Sequence, residues 1–172
     1  KWKSKMISTT NLTFQYKKSD PIFSFPNISL KKGENLLVLG KSGIGKTTFL
    51  HLLAGLLKPK CGKVIINKVD LNLLQNNQLD KFRGEKIGLV FQKKHAVQSL
   101  NVFQNLKARL FFSNETIDTN KIAIILTQLG LLNFKNNKVN ELSEGQLQRL
   151  GIALSVIHKP QLILADEPTS SL

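Results

Sequence analysis

The chain has 172 residues, 41% hydrophobic and 21% charged, an ordinary globular composition long enough to bury one substantial core, so a single domain is the default expectation. Its one cysteine, Cys61, excludes an internal disulfide, and no apolar stretch reaches the roughly 18 to 20 residues of a membrane span, since the best candidate, 122–132, is broken by Thr127 and Gln128. The net charge of +14 suits a nucleic-acid binder, an anionic surface or simple solvation; only three of the 25 basic residues are arginines, Arg83, Arg109 and Arg149, which speaks against base readout through the bidentate guanidinium.

The first residues, Lys1-Trp2-Lys3-Ser4-Lys5, are followed by no apolar core of an export signal, so a soluble cytoplasmic protein is expected. Residues 35–39 form a compact apolar run closed by Gly40, which reads as a buried strand. Residues 46–57 then repeat apolar side chains at helical spacing through Phe49, Leu50, Leu53, Leu56 and Leu57. Further short apolar runs lie at 64–66 and 87–91, helical patterns at 100–112 and 117–132, and a polar loop at 135–140. Ser143 with Gln146 three positions later makes a capping box, which predicts a helix running to about His158, ahead of Pro160. A last apolar strand, 162–165, leads into Asp166 and Glu167. Alternating strands and helices of this kind predict an α/β fold, with no internal repeat and no low-complexity tract.

Between the first strand and its helix lies Gly40-Lys41-Ser42-Gly43-Ile44-Gly45-Lys46-Thr47, which fits G-x-x-x-x-G-K-[ST] at every fixed position. Glycines let the backbone curl so that successive N–H groups face inward as an anion nest, and the helix that follows adds its positive end. Lys46 is expected to reach the β- and γ-phosphates of ATP and the Thr47 hydroxyl to hold Mg²⁺, with Thr48 completing the binding set. Such a loop needs an acidic strand end beside it. Asp166 is placed to orient the Mg²⁺ shell, and Glu167 to polarise a water for attack on the γ-phosphate; a solvated turn is the other reading of the two acids.

The loop at 40–47, Leu-Ser-Glu-Gly-Gln at 142–146 and Leu-Ile-Leu-Ala-Asp-Glu-Pro-Thr-Ser at 162–170 together resemble the nucleotide-binding domain of ABC transporters. Leu-Ser-x-Gly-Gln just ahead of an acidic strand discriminates, because most P-loop families lack it. The resemblance implies a P-loop NTPase (RecA-like) core with a mostly parallel sheet, an N-terminal antiparallel β subdomain and an inserted α-helical subdomain: 1–92 and 161–172 as the ATP-binding part, 93–160 as the helical part with the signature. It implies that Tyr16 stacks on adenine, for which a core aromatic near a strand end is the other reading. It implies that Gln92 links the metal site to the helical subdomain, for which a plain strand-end amide is the alternative. Two such domains close head to tail, so Ser143, the Gly145 backbone and Gln146 would serve the nucleotide across the interface. Glu144 departs from the usual glycine and is expected to point away from the phosphates.

Residues 83–92 and 100–105 resemble more narrowly the LolD-like ATPases of lipoprotein release, macrolide export and cell division. The implied partners are a multi-spanning permease and a second ATPase domain, identical or related, with no specific nucleic acid. Phe103, Leu106, Phe111 and Phe112 are candidates for the permease dock, with core packing as the alternative. A soluble ABC ATPase acting on nucleic acid or ribosomes is the competing function. Such proteins usually carry paired domains or a long coiled-coil insertion, and the span from Gln92 to Leu142 holds only a compact helical segment. The resemblance also places a histidine beyond the acidic strand, whereas His51, His95 and His158 all precede it. A truncated form that binds ATP but hydrolyses it poorly is therefore expected.

Overall fold

The computed structural model describes residues 5–90 and 96–167. The chain divides into two compact units, 1–79 and 80–172.

The spine of the first unit is β1 (Lys5–Phe14). Its buried residues are Ile7 and Thr9, then Leu12 and Phe14, and the phase changes where the register with the neighbouring strand shifts between Thr10 and Thr13. One extra residue there restores the inward face for the second half of the strand. Strands β2 (Phe23–Ser24), β3 (Ser29–Lys31), β4 (Cys61–Ile66) and β5 (Val69–Asp70) complete an antiparallel sheet in the order β2-β1-β4-β5, with β3 also on β1. The hairpin between β4 and β5 turns on Asn67 and Lys68, at φ 46° and 70°, the double positive φ of a type I′ turn.

Helix α1 (Lys46–Leu53) buries Phe49, Leu52 and Leu53, three of its apolar positions. It stops at Gly55, φ 65°, where the N–H of Leu56 reaches the His51 carbonyl at 2.8 Å and that of Gly55 reaches Leu52 at 3.0 Å. This paired closure satisfies the last carbonyls and requires a left-handed residue at position 55.

Residues 35–39 do not form the expected buried strand. They lie in no strand, and Leu37 and Leu39 are 78% and 80% exposed. A strand without a polar face needs ladder partners and cover on both sides. Within this unit the described strands pair with one another and none pairs with 35–39.

Helix α2 (Asn76–Lys86) crosses the division and buries no residue. It is supported from its own surface, by the Gln75 N–H on the Gln78 side chain, an Asp80–Arg83 ion pair and a Lys81–Glu85 pair one turn apart.

In the second unit β6 (Ile87–Val90) pairs in parallel with β7 (Leu162–Ala165), Ile87 opposite Leu162 through Val90 opposite Ala165. Parallel neighbours require a crossover. Here it consists of α3 (Val102–Phe112), α4 (Thr119–Gln128) and α5 (Glu144–Val156). Val102, Leu106, Leu110, Ile122, Leu126 and Leu150 meet in a fully buried core between these helices. Each helix has a side-chain cap: Asn101 in a capping box with Gln104, Asp118, and Ser143 in a capping box with Gln146. A Cβ on Gly88 would collide with the Ser155 carbonyl, so α5 rests directly on the β6 backbone. No described helix is long and apolar enough to cross a membrane.

Candidate nucleotide-binding site

The first unit brings together the glycine-rich loop, the start of α1 and Tyr16. Gly43 and Gly45 take φ of 80° and 100°, and Gly45 is the N-cap of α1, so two left-handed glycines lead the chain into the helix. Lys46 is the first helical residue. Its Nζ donates to the carbonyls of Gly40 at 2.8 Å and Lys41 at 3.0 Å, folding the ammonium back over the mouth of the loop. Lys41, Ser42, Gly43 and Ile44 are exposed, as is Thr47, while Thr48 is buried.

Tyr16 is not a core aromatic. Its ring is 56% exposed and stands edge-on to Phe14 and Phe23, with centroids 4.7 and 6.3 Å away. Its hydroxyl lies 2.9 Å from the Thr48 hydroxyl, one position beyond Thr47. An exposed aromatic residue, perpendicular to two phenyl rings and tied to the loop's helix, suits stacking by a base.

The second unit carries the signature and the acids. Ser143 and Gln146 are engaged with each other: the Ser143 N–H donates to Gln146 Oε1 at 2.7 Å, and the Ser143 hydroxyl accepts from the Gln146 N–H at 3.3 Å. Gly145 lies between them in the first turn, and Glu144 beside it is exposed. The Asp166 N–H donates to the Val90 carbonyl at 2.8 Å, extending the parallel ladder one residue past β7. Glu167 follows in a left-handed conformation, φ 46°, with an exposed side chain. Along β7 Leu164 is buried while Ile163 is 51% exposed, so the apolar run leading to the acids is covered on one face. Gln92 lies outside the described residues. Of the four dock candidates, Leu106 is fully buried and Phe103 packs on the helical core, whereas Phe111 and Phe112 are 66% and 73% exposed.

Two features of the structure were not apparent from sequence. Phe23 and Phe25 lie against the glycine-rich loop: a Cβ on Gly45 would come within 2.9 Å of the Phe23 ring and 3.4 Å of the Phe25 ring. Phe-Ser-Phe is a period-2 signal, too short to be read as a strand alone. The other is a buried Arg–His pair. Arg109 on α3 donates through Nε to the Leu154 carbonyl and through Nη2 to the Ile87 carbonyl, both at 3.3 Å, with His158 Nε2 2.8 Å from Nη2. The same Nε2 also lies 3.2 Å from the Ile87 carbonyl, so Arg109 and His158 converge on one backbone oxygen. Burial, seconded by the Arg109 charge, pushes the His158 pKa down to about 4.

A glycine-rich loop opening a helix, a capped signature helix and a parallel strand ending in two acids define a P-loop nucleotide-binding cassette. The family model described as ABC transporter matches residues 24–170. The lipoprotein-releasing system ATP-binding protein LolD of Colwellia psychrerythraea is 37% identical over 98% of this chain and 67% of its own length. The ABC transporter ATP-binding protein MJ0796 of Methanocaldococcus jannaschii is 36% identical over 97% of this chain and 75% of its own. The dimeric post-hydrolysis structure of MJ0796 bound to ADP and Pi superposes with a TM-score of 0.86, covering 97% of this chain and 76% of that one, at 36% identity. The chain belongs to the ABC transporter family. It is the ATP-binding, ATP-hydrolysing component that powers a membrane transporter.

Proposed function

We propose that this chain binds Mg·ATP at Gly40–Thr48 with Tyr16 against the adenine, hydrolyses it with Glu167 as the base, and works as one half of an ATP-closed pair on the cytoplasmic side of a multi-spanning permease. The observation that carries this reading is the conformation of the loop: two left-handed glycines, a helix N-terminus at Lys46 and an ammonium already turned over the loop's mouth. Phosphate entering there meets backbone N–H groups, a helix dipole and a fixed cation. Thr47, Gln92 and Asp166 offer hydroxyl, amide and carboxylate oxygens, hard donors that fit Mg²⁺, which keeps several waters and binds largely through substrate phosphates. The ion, when bound, neutralises charge on the β- and γ-phosphates. Glu167 takes the proton of the attacking water, and Ser143, Gly145 and Gln146 act on the nucleotide of the facing subunit.

The division of labour follows: 1–92 with 161–172 bind nucleotide, and 93–160 carry the signature and meet the permease. Phe111 and Phe112, exposed at the end of α3, are the apolar pair available to that contact. A homodimer and a heterodimer with a related ATPase domain both satisfy the need for a signature in trans. Specific nucleic-acid binding is not part of this reading.

The test is Lys46→Ala. It removes the ammonium but no buried contact, so the thermal midpoint should stay at the parental value while ATP affinity, read by displacement of a fluorescent nucleotide, is lost. Equal affinity in variant and parent would remove the loop from the site.

A further inference from the structure

The first unit contains a continuous aromatic array that ends on the phosphate loop. Phe14 and Tyr16 from β1 and the segment after it meet edge to face at 4.7 Å, and Tyr16 meets Phe23 of β2 in the same way at 6.3 Å. Phe23 then stacks with Phe25 at 6.3 Å, and Phe25 with Phe49 of α1 at 5.1 Å, with interplanar angles of 12° and 13°. The array touches the loop's exit at two further points. Phe23 covers the bare Cα face of Gly45, and the Tyr16 hydroxyl reaches Thr48. The start of α1 is thus held at Gly45 by the Phe23 and Phe25 rings and at Thr48 by the Tyr16 hydroxyl.

Gly45 needs such a hold. Its φ of 100° is open only to glycine, and glycine is also the residue with the most conformations to lose. The direction of the next N–H groups and of Lys46 depends on that one torsion. A ring seated on Gly45 removes alternatives that a bare glycine would otherwise visit. Phe23 is only partly buried and sits in a two-residue strand, paired through Phe14, so it contributes little to the unit's fully buried core.

We infer that Phe23 is a positioning residue for phosphate binding, which acts by seating its ring on Gly45 and so fixing the phosphate loop in its binding conformation before nucleotide arrives. This rests on the proposed role of the loop. It concerns the phosphates, not the base, and so differs from the stacking role of Tyr16.

The experiment compares Phe23→Leu and Phe23→Tyr with the parent and with Lys46→Ala. Affinities for ATP, GTP and inorganic tripolyphosphate are read by displacement of a fluorescent nucleotide, beside the thermal midpoint of each ligand-free variant. Leucine keeps apolar volume but not the flat ring. It should weaken all three ligands by the same factor, about tenfold, at an unchanged midpoint. Tyrosine keeps the ring and should bind as the parent does. An unchanged tripolyphosphate affinity in Phe23→Leu overturns the inference. So does a loss confined to ATP and GTP, which would place Phe23 at the base, and so does a loss in Phe23→Tyr as large as in Phe23→Leu. If Lys46→Ala binds normally, the loop assignment itself has failed; if Lys46→Ala loses binding while Phe23→Leu does not, only the positioning role is gone.

Discussion

Glu167 is exposed, follows the half-buried Asp166 directly and holds a left-handed backbone at φ 46°, so the two neighbouring acids sit in different surroundings. That difference suits two jobs, one acid for the metal shell and one for the water. Glu167→Gln keeps the shape and removes the proposed base, and should preserve ATP affinity while slowing hydrolysis by a factor on the order of 10² or more. Phosphate release under saturating ATP checks it, and unchanged turnover would take the base role away from Glu167. His158 gives a second residue-level expectation. Its folded pKa of about 4 lies below the ordinary 6.5, so above pH 6.5 the group is neutral in both states and is indifferent to folding. As pH falls from 6.5 toward 4 the unfolded chain takes up a proton that the folded chain refuses, and stability drops, by about 2 kcal/mol at pH 5. Urea midpoints between pH 7.5 and 5 should show this slope, and His158→Gln should flatten it. Arg109 makes the refusal stronger, because a protonated Nε2 would face a guanidinium 2.8 Å away.

Among the elements, those with local signals were legible and those that depend on neighbours were not. Ser143 with Gln146 announced α5, because a capping box is complete within four residues, although the helix ends at Val156 and not at His158. The strand at 87–91 was found through its apolar run, described here as Ile87–Val90. By contrast, 35–39 had the composition of a buried strand, yet burial is conferred by flanking strands and cannot be read from the run itself. Helix α2 was missed for the opposite reason: a helix with no buried residue has no apolar stripe to detect. The glycine-rich loop and the acid pair stand out by motif spacing, whereas Phe23, Phe25 and the Arg109–His158 pair depend on contacts made by distant segments. The end of α1 offers a test at this scale. Gly55→Ala forces a left-handed alanine and brings its Cβ to within 2.8 Å of a Leu79 methyl, so it should cost about 1–2 kcal/mol of stability by chemical unfolding. A neutral result would mean that α1 ends in some other way in solution.

At the level of the molecule, the signature and the glycine-rich loop belong to different compact units, and family membership supplies the reason both are present. In the proposed working form the signature acts on a neighbouring subunit's nucleotide, so ATP should drive association. Glu167→Gln with saturating ATP and Mg²⁺ should sediment as a dimer, and the nucleotide-free protein as a monomer. A monomer under both conditions would count against action in trans by two copies and leave the heterodimer. Exposure of Phe111 and Phe112 should be unaffected by that closure if they face the permease, so their replacement by serine should spare dimerisation and lower co-purification of the membrane subunit.

Lys46 is not a loose cation in solvent. Its ammonium is bonded to the Gly40 and Lys41 carbonyls, the position from which it would turn to the proposed phosphates. The long side chain, with roughly 2 kcal/mol of rotamer entropy to lose, is already ordered by those two bonds. If Lys46 serves the phosphates as proposed, nucleotide entry is an exchange of acceptors on one nitrogen, from two neutral carbonyls to charged oxygens. On the proposed role, selectivity for a polyphosphate over a weaker anion would follow from that exchange, because a ligand must carry enough negative charge to draw the ammonium off its own backbone.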